Sequence, residues 1–149
     1  MKKIMKKAIF VLTLLLTLIV SSTVFAQCTL NPKQWQFIGN GGDCQLYLDT
    51  SFLQMDGQIL NTGACFYFPR GCTHKHMGSK GEHYHMSHVG INTSFFSYAL
   101  KSVVYGDMYG NQIGDGTYFD EDEIIYRPIS RGTLLEAFCV TALRMVGKL

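Results

Sequence analysis

The chain has 149 residues, 13 of them Lys or Arg and 11 Asp or Glu, with a formal net charge of +2. This length suits a single domain with one hydrophobic core. Four of the basic residues are lysines within the first seven positions, which leaves 9 basic against 11 acidic residues downstream, a formal charge of −2. A weakly acidic domain lacks the electrostatic footprint of a nucleic-acid-binding protein, so we expect no nucleic-acid partner.

The first 26 residues have the three parts of a secretory signal peptide. Lysines precede an apolar run, Ala8–Val20, and Val24-Phe-Ala26 supplies small residues at cleavage positions −3 and −1. The run is shorter than the ~20 apolar residues that a membrane span needs. The sequence therefore predicts a signal peptide at 1–26 and one mature domain at 27–149. This domain would have no transmembrane span and would be exported to the periplasm or the outer-membrane surface.

Five cysteines follow the predicted cleavage site: Cys28, Cys44, Cys65, Cys72 and Cys139. Export to an oxidising compartment favours disulfides, and an odd number predicts two bridges and one free thiol whose pairing the sequence does not give. Cys28 follows Gln27, which a lipidation signal does not favour at −1, so lipidation is the weaker alternative for Cys28. Cys72 is either a bridge partner, which we favour, or a thiolate metal ligand.

Most of the mature chain has the composition of short strands. The predicted strand regions are Trp35–Phe37, Leu46–Leu48, Phe52–Leu60, Ala64–Phe68 and a long one, Val89–Tyr105. Gly39–Asp43 predicts a turn, and Met55-Asp-Gly57 predicts a tight hairpin turn because Asp-Gly tolerates positive φ. The acidic run Asp120–Glu123 is either a Ca²⁺ ligand set or, as we favour, a solvated loop, since its spacing matches no EF-hand.

One amphipathic helix closes the chain. Apolar residues recur at helical spacing at Leu135, Phe138, Cys139, Ala142, Met145 and Val146. Pro128 disfavours an earlier start, and Ser130 is the predicted N-cap. Strands followed by one helix predict an α+β fold, an antiparallel sheet with the C-terminal amphipathic helix packed on it.

Several motifs occur in an order shared with a known family. They are Trp35-Gln-Phe-Ile38, Leu46-Tyr-Leu-Asp49, Met55-Asp-Gly57, the tyrosines Tyr98 and Tyr105, and Pro128-Ile-Ser130 before the closing helix. In this order the chain resembles the surface-adhesin protein E family, small exported domains of Gram-negative bacteria. The resemblance runs from about Trp35 to Cys139 and rests on short hydrophobic motifs.

The resemblance implies an antiparallel sheet with one C-terminal helix. It also implies binding of host extracellular-matrix or serum proteins, with haem binding associated as well. The family usually pairs a cysteine of the central strand with the helix cysteine, but this chain has Ile91-Asn-Thr93 there. Cys139 would then pair with Cys44 or Cys65, or stay a buried free thiol. The histidine-rich segment is a second departure from the family.

All five histidines lie in one window, at His74, His76, His83, His85 and His88. Each His-x-His places two rings on one face of a strand, so a hairpin would bring three or four imidazoles together. Such a site suits Zn²⁺ if tetrahedral and Cu²⁺ or Ni²⁺ if more planar, with His88, Glu82, Met77 and Met86 as spare ligands. The alternative, which we favour, is an adaptable solvent-exposed loop.

The sequence offers little for catalysis. It contains no Gly-x-Ser-x-Gly elbow and no phosphate-binding loop, and a nucleophile pair of Cys72 with a histidine is the weaker interpretation. We therefore expect a non-enzymatic envelope or surface binding protein that acts through protein contacts, with host proteins or other envelope proteins. The alternative is periplasmic binding of a transition metal (Zn, Cu or Ni) or haem through the segment His74–His88.

Overall fold

The computed structural model describes residues 30–70, 83–107 and 111–149. Within these ranges seven strands form one antiparallel sheet and one α-helix follows them, so the α+β prediction is confirmed. The elements are β1 (Trp35–Gly41), β2 (Cys44–Asp56), β3 (Ile59–Phe68), β4 (His83–Asn92), β5 (Ser97–Asp107), β6 (Thr117–Tyr118), β7 (Arg127–Pro128) and α1 (Leu134–Met145). The predicted signal peptide lies outside the described residues.

Helix α1 covers one face of the sheet over β1 and β2. It buries Phe138, Cys139, Ala142 and Leu143 against apolar residues of β2, β3 and β4. Gly39 lets the helix approach closely, because a Cβ there would lie 2.8 Å from Leu134 Cδ1. We call this side of the sheet the helix face.

The helix begins one turn later than the predicted N-cap, Ser130. Its N-cap is Thr133, whose hydroxyl oxygen accepts a hydrogen bond from the Glu136 backbone N–H at 3.1 Å. Glu136 in turn accepts from the Gly132 backbone N–H at 2.7 Å. A threonine followed three residues later by a glutamate satisfies two otherwise unpaired N–H groups, which explains why Thr133 caps the helix and Ser130 does not.

The predicted long strand Val89–Tyr105 is wrong, because the chain turns back in its middle. Strand β4 ends at Asn92 and β5 begins at Ser97, and the two pair as an antiparallel hairpin. The Asn92 side chain accepts hydrogen bonds from the backbone N–H groups of Ser94 and Phe95, at 3.0 and 3.2 Å. An Asn that bonds its own backbone two residues on nucleates a turn within a sequence that otherwise favours strand.

The other predicted turns are present with small shifts. Gly57, with φ of +55°, turns β2 into β3, as Asp56-Gly57 predicts. Gly42, with φ of +57°, turns β1 into β2 inside the predicted stretch Gly39–Asp43. The acidic run is exposed, as expected, but three of its residues, Glu121–Glu123, form a 3₁₀ helix where we predicted a loop.

A second, smaller cluster lies on the opposite face of the sheet. Cys65, Tyr67 and Tyr84 are buried there, and Trp35 and Tyr47 pack against them. The Tyr67 and Tyr84 rings stack with centroids 4.9 Å apart. Among the described residues no helix is long and apolar enough to cross a membrane.

The position of α1 gives a direct test of the core. Phe138 is fully buried, so Phe138→Ala should lower the free energy of unfolding by about 3–5 kcal/mol through lost burial and cavity formation. Met145 on the same helix is 47% exposed, and Met145→Ala should change it by less than about 1 kcal/mol. Urea unfolding followed by circular dichroism measures both. Equal losses in the two variants would contradict this packing.

Candidate functional site

Three of the five histidines lie on one strand. His83, His85 and His88 belong to β4, which begins at His83, so they are strand residues and not loop residues. His83 is fully buried and the other two are half-buried, which contradicts the solvent-exposed-loop prediction for these three. The predicted ligands His74 and His76 lie outside the described residues. So do Cys72, Met77 and Glu82.

His83 and His85 lie side by side on the helix face of β4. Their ring centroids are 5.1 Å apart with an interplanar angle of 35°. The His83 ring stacks on Phe68 at 5.1 Å, and the His85 ring meets Tyr105 edge-on at 4.8 Å. Two imidazoles bound to one tetrahedral metal at about 2.0–2.1 Å have centroids roughly 5 Å apart. The spacing of this histidine pair is therefore compatible with shared metal coordination.

The cross-strand neighbour of His83 is Asp107. Its carboxylate accepts hydrogen bonds from Asn111, one from the backbone N–H at 2.8 Å and one from the side-chain amide at 3.0 Å. Within the described ranges no group of three or more His, Cys, Asp or Glu side chains is placed to hold a metal ion. Among these residues the histidine pair alone does not make up a metal site.

His88 lies on the face opposite to the histidine pair, because side chains alternate along a strand. It is thus separated from His83 and His85 by the sheet, and so is Met86. Neither is placed to be the spare ligand that the sequence suggested. Both residues lie in the histidine window of the sequence, but at positions whose side chains point to the other face of the strand.

The His88 ring is partly shielded from solvent. It meets Phe52 edge-on at 5.3 Å, and its Nε2 atom is buried with no hydrogen-bond partner among the described residues. Burial lowers the pKa of His88 below its usual value, and the positive charge of Lys101 lowers it further. The neutral imidazole is therefore the form that the folded protein favours.

A polar cluster surrounds His88 that sequence reasoning missed. Asp49 is almost completely buried and accepts hydrogen bonds from Ser51, from its backbone N–H at 2.9 Å and its hydroxyl at 2.6 Å. Asp49 packs against Gly63, the cross-strand neighbour of His88. On the other side of His88, Lys101 Nζ donates to Asn61 Oδ1 at 2.6 Å. Of these groups, Lys101 is the charged one that acts on the imidazole, since its positive charge lowers the pKa of His88.

Two strand glycines are the sequence signal for this cluster. A Cβ at Gly63 would lie 2.9 Å from Asp49 Cβ, and one at Gly90 would lie 2.7 Å from the Tyr126 hydroxyl and 2.9 Å from Lys101 Cε. Isolated glycines inside strands often mark such close approaches. Gly63 and Gly90 therefore leave the space that the polar side chains occupy.

Within the described residues no disulfide links helix α1 to the sheet. Cys44 and Cys139 are free thiols, and the Cys44 thiol donates to the Gly41 carbonyl at 3.1 Å. Burial raises the pKa of Cys139 to about 12, so this thiol is not a nucleophile near neutral pH. Cys139 is therefore a buried free thiol, one of the alternatives for this residue, while Cys28 and Cys72 lie outside the described residues and the number of bridges stays a prediction.

The environment of His88 predicts a pH-dependent stability. Because its pKa is lowered on folding, the unfolded chain binds the proton more tightly than the folded protein does. As far as His88 titration affects it, the free energy of unfolding should therefore have its full value above about pH 6.5. It should fall as the pH drops below that value. Lys101→Met should weaken this fall by removing the nearby cation.

Urea unfolding at pH 7.5 and 5.5 tests this prediction. The difference between the two pH values should shrink in His88→Gln and persist in His85→Gln, which removes an imidazole from the other face. NMR titration of the His88 ring gives its pKa directly. An unaltered pH dependence in His88→Gln would contradict the account.

No protein-family model, curated protein or solved structure matches this chain. The resemblance to the surface-adhesin protein E family stays a prediction that rests on its short motifs. The two histidine environments are therefore interpreted from their own contacts. These contacts separate a histidine pair on the helix face from a single half-buried imidazole on the opposite face.

Proposed function

We propose that this protein is a non-enzymatic exported binding protein of the bacterial envelope or surface, similar to adhesin E, that acts through protein contacts. The observation that carries the proposal is a row of apolar side chains across the face opposite to α1. The strand pairing aligns Phe37, Tyr47, Cys65, Met86 and Val104 on β1 to β5 in this order. We call these five residues the apolar row.

Two residues of the apolar row are exposed to solvent. Phe37 is 49% exposed and Met86 is 38% exposed, while Cys65 between them is buried. The Phe37 and Tyr47 rings are 5.4 Å apart, so β1 and β2 contribute a joint aromatic surface. Interfaces are enriched in aromatic residues and methionine, so the exposed Phe37 and Met86 on one face of the sheet favour contact with another protein.

The partner class comes from the resemblance: host extracellular-matrix or serum proteins, or another envelope protein. A sheet face binds such partners through side-chain contact, with a few buried anchors carrying most of the binding free energy. Phe37 and Met86 are the two residues of the row with enough exposed area to be anchors. This proposal requires no cofactor and no reaction.

The test combines location and binding. Protease and antibody accessibility on intact cells measures surface exposure, and collagen, laminin and fibronectin are the immobilised probes. Phe37→Ser with Met86→Ser should weaken binding at least tenfold, since each anchor contributes about 1 kcal/mol or more. Phe95→Ser is the matched control, because Phe95 is 80% exposed in the β4–β5 turn, outside the row. The proposal of an adhesin would be contradicted if the protein were strictly periplasmic and bound no matrix protein.

A second function, binding of a transition metal or haem, is favoured by the histidine pair. The 5.1 Å spacing of the His83 and His85 rings suits coordination of one ion, and Phe68 stacked on His83 holds that ring in place. Imidazole nitrogen is a ligand for Zn²⁺, Cu²⁺ and Ni²⁺. Further ligands would come from outside the described residues, where the sequence has His74 and His76.

Haem would use the histidine pair differently. One imidazole of the pair would hold the haem iron. Phe68 and Tyr105, whose rings contact His85 at 4.6 and 4.8 Å, would provide the apolar surface for the porphyrin. Metal ions and haem are therefore alternatives at the same two side chains, and a titration distinguishes them.

Isothermal titration of the mature protein with Zn²⁺, Cu²⁺, Ni²⁺ and haemin tests this second function. We expect saturable micromolar binding of at least one of the four, lost in His83→Ala with His85→Ala. His88→Ala should bind as the wild type does, because His88 lies on the other face. His85→Ala alone guards against unfolding, since His85 is only half-buried. Millimolar affinity, or equal binding by all variants, would rule the function out.

A further inference from the structure

An open cavity of about 300 Å³ lies at the outer edge of β5. Apolar side chains form most of its lining, and two charged residues complete it: Tyr98, Leu100, Phe119, Ile125, Glu123 and Arg127. This volume is at the lower end of the range for small-molecule sites. The cavity lies away from the apolar row and from the histidine pair, so it is independent of both proposed functions.

The cavity exists because the edge of β5 is paired at two places and open between them. Strand β7 pairs with Ser97 and Tyr98, and β6 pairs with Ser102 and Val103. Between β6 and β7 the chain leaves the sheet through the 3₁₀ helix Glu121–Glu123. Ala99 and Leu100 of β5 therefore form the floor of a gap, and the departing chain forms its outer wall.

The floor of this gap offers backbone groups for hydrogen bonding. The Phe96 carbonyl accepts from the Ile129 N–H at 3.4 Å, on the side of β5 that faces away from β4. Because backbone groups alternate sides along a strand, the N–H and C=O of Leu100 point the same way. Neither β6 nor β7 pairs with Leu100. The floor of the cavity therefore presents one backbone donor and one backbone acceptor.

The charges in the cavity are opposite but not paired with each other. Arg127 and Glu123 both line it, yet they form no ion pair within the described part of the chain. One Glu123 carboxylate oxygen accepts from the Asp120 backbone N–H at 3.1 Å, which orients the side chain and leaves the other oxygen for a ligand. A guanidinium and a carboxylate that share one apolar cavity match a ligand with both charges.

Apolar exposure is also concentrated here. Ile125 is 68% exposed, Leu100 39% and Phe119 37%, and all three line the same cavity. Single exposed apolar residues are ordinary, but three around one concave site favour an apolar ligand group. The ligand therefore needs an apolar side chain as well as two opposite charges.

We propose that this cavity binds a small zwitterion with an apolar side chain, namely a free hydrophobic α-amino acid. The ligand carboxylate pairs with the Arg127 guanidinium in a bidentate charge-assisted contact. The ligand ammonium pairs with Glu123, and its side chain packs against Leu100, Phe119 and Ile125. No bond is made or broken, so the site is one of recognition.

Isothermal titration of the mature protein with L-phenylalanine and L-leucine tests the proposal. At least one should bind saturably with a Kd below about 1 mM. Phenylalanine amide lacks the carboxylate, 3-phenylpropanoate lacks the ammonium and glycine lacks the side chain, so each should bind at least tenfold more weakly. Equal binding of these analogues, or no saturable binding of either amino acid, would overturn the proposal. A Leu-Leu dipeptide that binds more tightly than both would overturn the assignment to a free amino acid.

Two variants connect the binding to the named charges. Arg127→Gln should weaken binding of the amino acid about tenfold or more, because the ligand carboxylate loses its partner. Glu123→Gln should weaken binding by a similar factor, because the ligand ammonium loses its partner. Glu121→Gln in the same 3₁₀ helix and Arg131→Gln are matched controls that lie outside the lining and should bind normally. Circular dichroism and Tm show that each variant is folded. Wild-type affinity in a folded Arg127→Gln would overturn the site.

Discussion

The uninterrupted pairing of β3 with β4 is the constraint on which the other features of this protein depend. Ten residue pairs, from Ile59 with Asn92 to Phe68 with His83, run without a register shift. This register is stabilised by the burial of four apolar residues on the helix face: Leu60, Ala64, Val89 and Ile91. Side chains alternate with a period of two, so a slip of one residue would move every histidine of β4 to the other face and expose the core.

This register gives the two faces of the sheet different chemistry. The helix face carries the buried core over β1 to β4 and, beyond it, the histidine pair among the rings of Phe68 and Tyr105. The opposite face carries the apolar row and the polar cluster around His88. A sequence window with all the histidines is therefore two environments in the folded protein. One holds two neighbouring imidazole rings among aromatic side chains, and the other keeps a single imidazole neutral.

Burial and hydrogen bonding also explain the individual errors of the sequence analysis. The run from Val89 to Tyr105 has strand composition throughout, and the turn within it depends on the Asn92 side chain, a local contact that hydrophobic patterning does not reveal. The helix start was misplaced because Pro128 and Ser130 resemble a start signal, while Thr133 and Glu136 together satisfy more backbone N–H groups. The polar cluster was missed because Asp49, Asn61 and Lys101 are far apart in the chain.

The sequence by itself determined the α+β class, the closing helix, the hairpin at Gly57 and the pairing of His83 with His85 on one strand face. Each depends on a period of two or 3.6 residues or on one local turn, which neighbouring residues specify. Only the tertiary structure decided that β4 pairs with β3 without a bulge from His83 past His88, which puts His88 on the face opposite to that pair. It alone also brought Arg127 and Glu123 to one cavity and left Cys139 without a bridge. These features depend on strand order and long-range packing, which bring together residues that no local pattern connects.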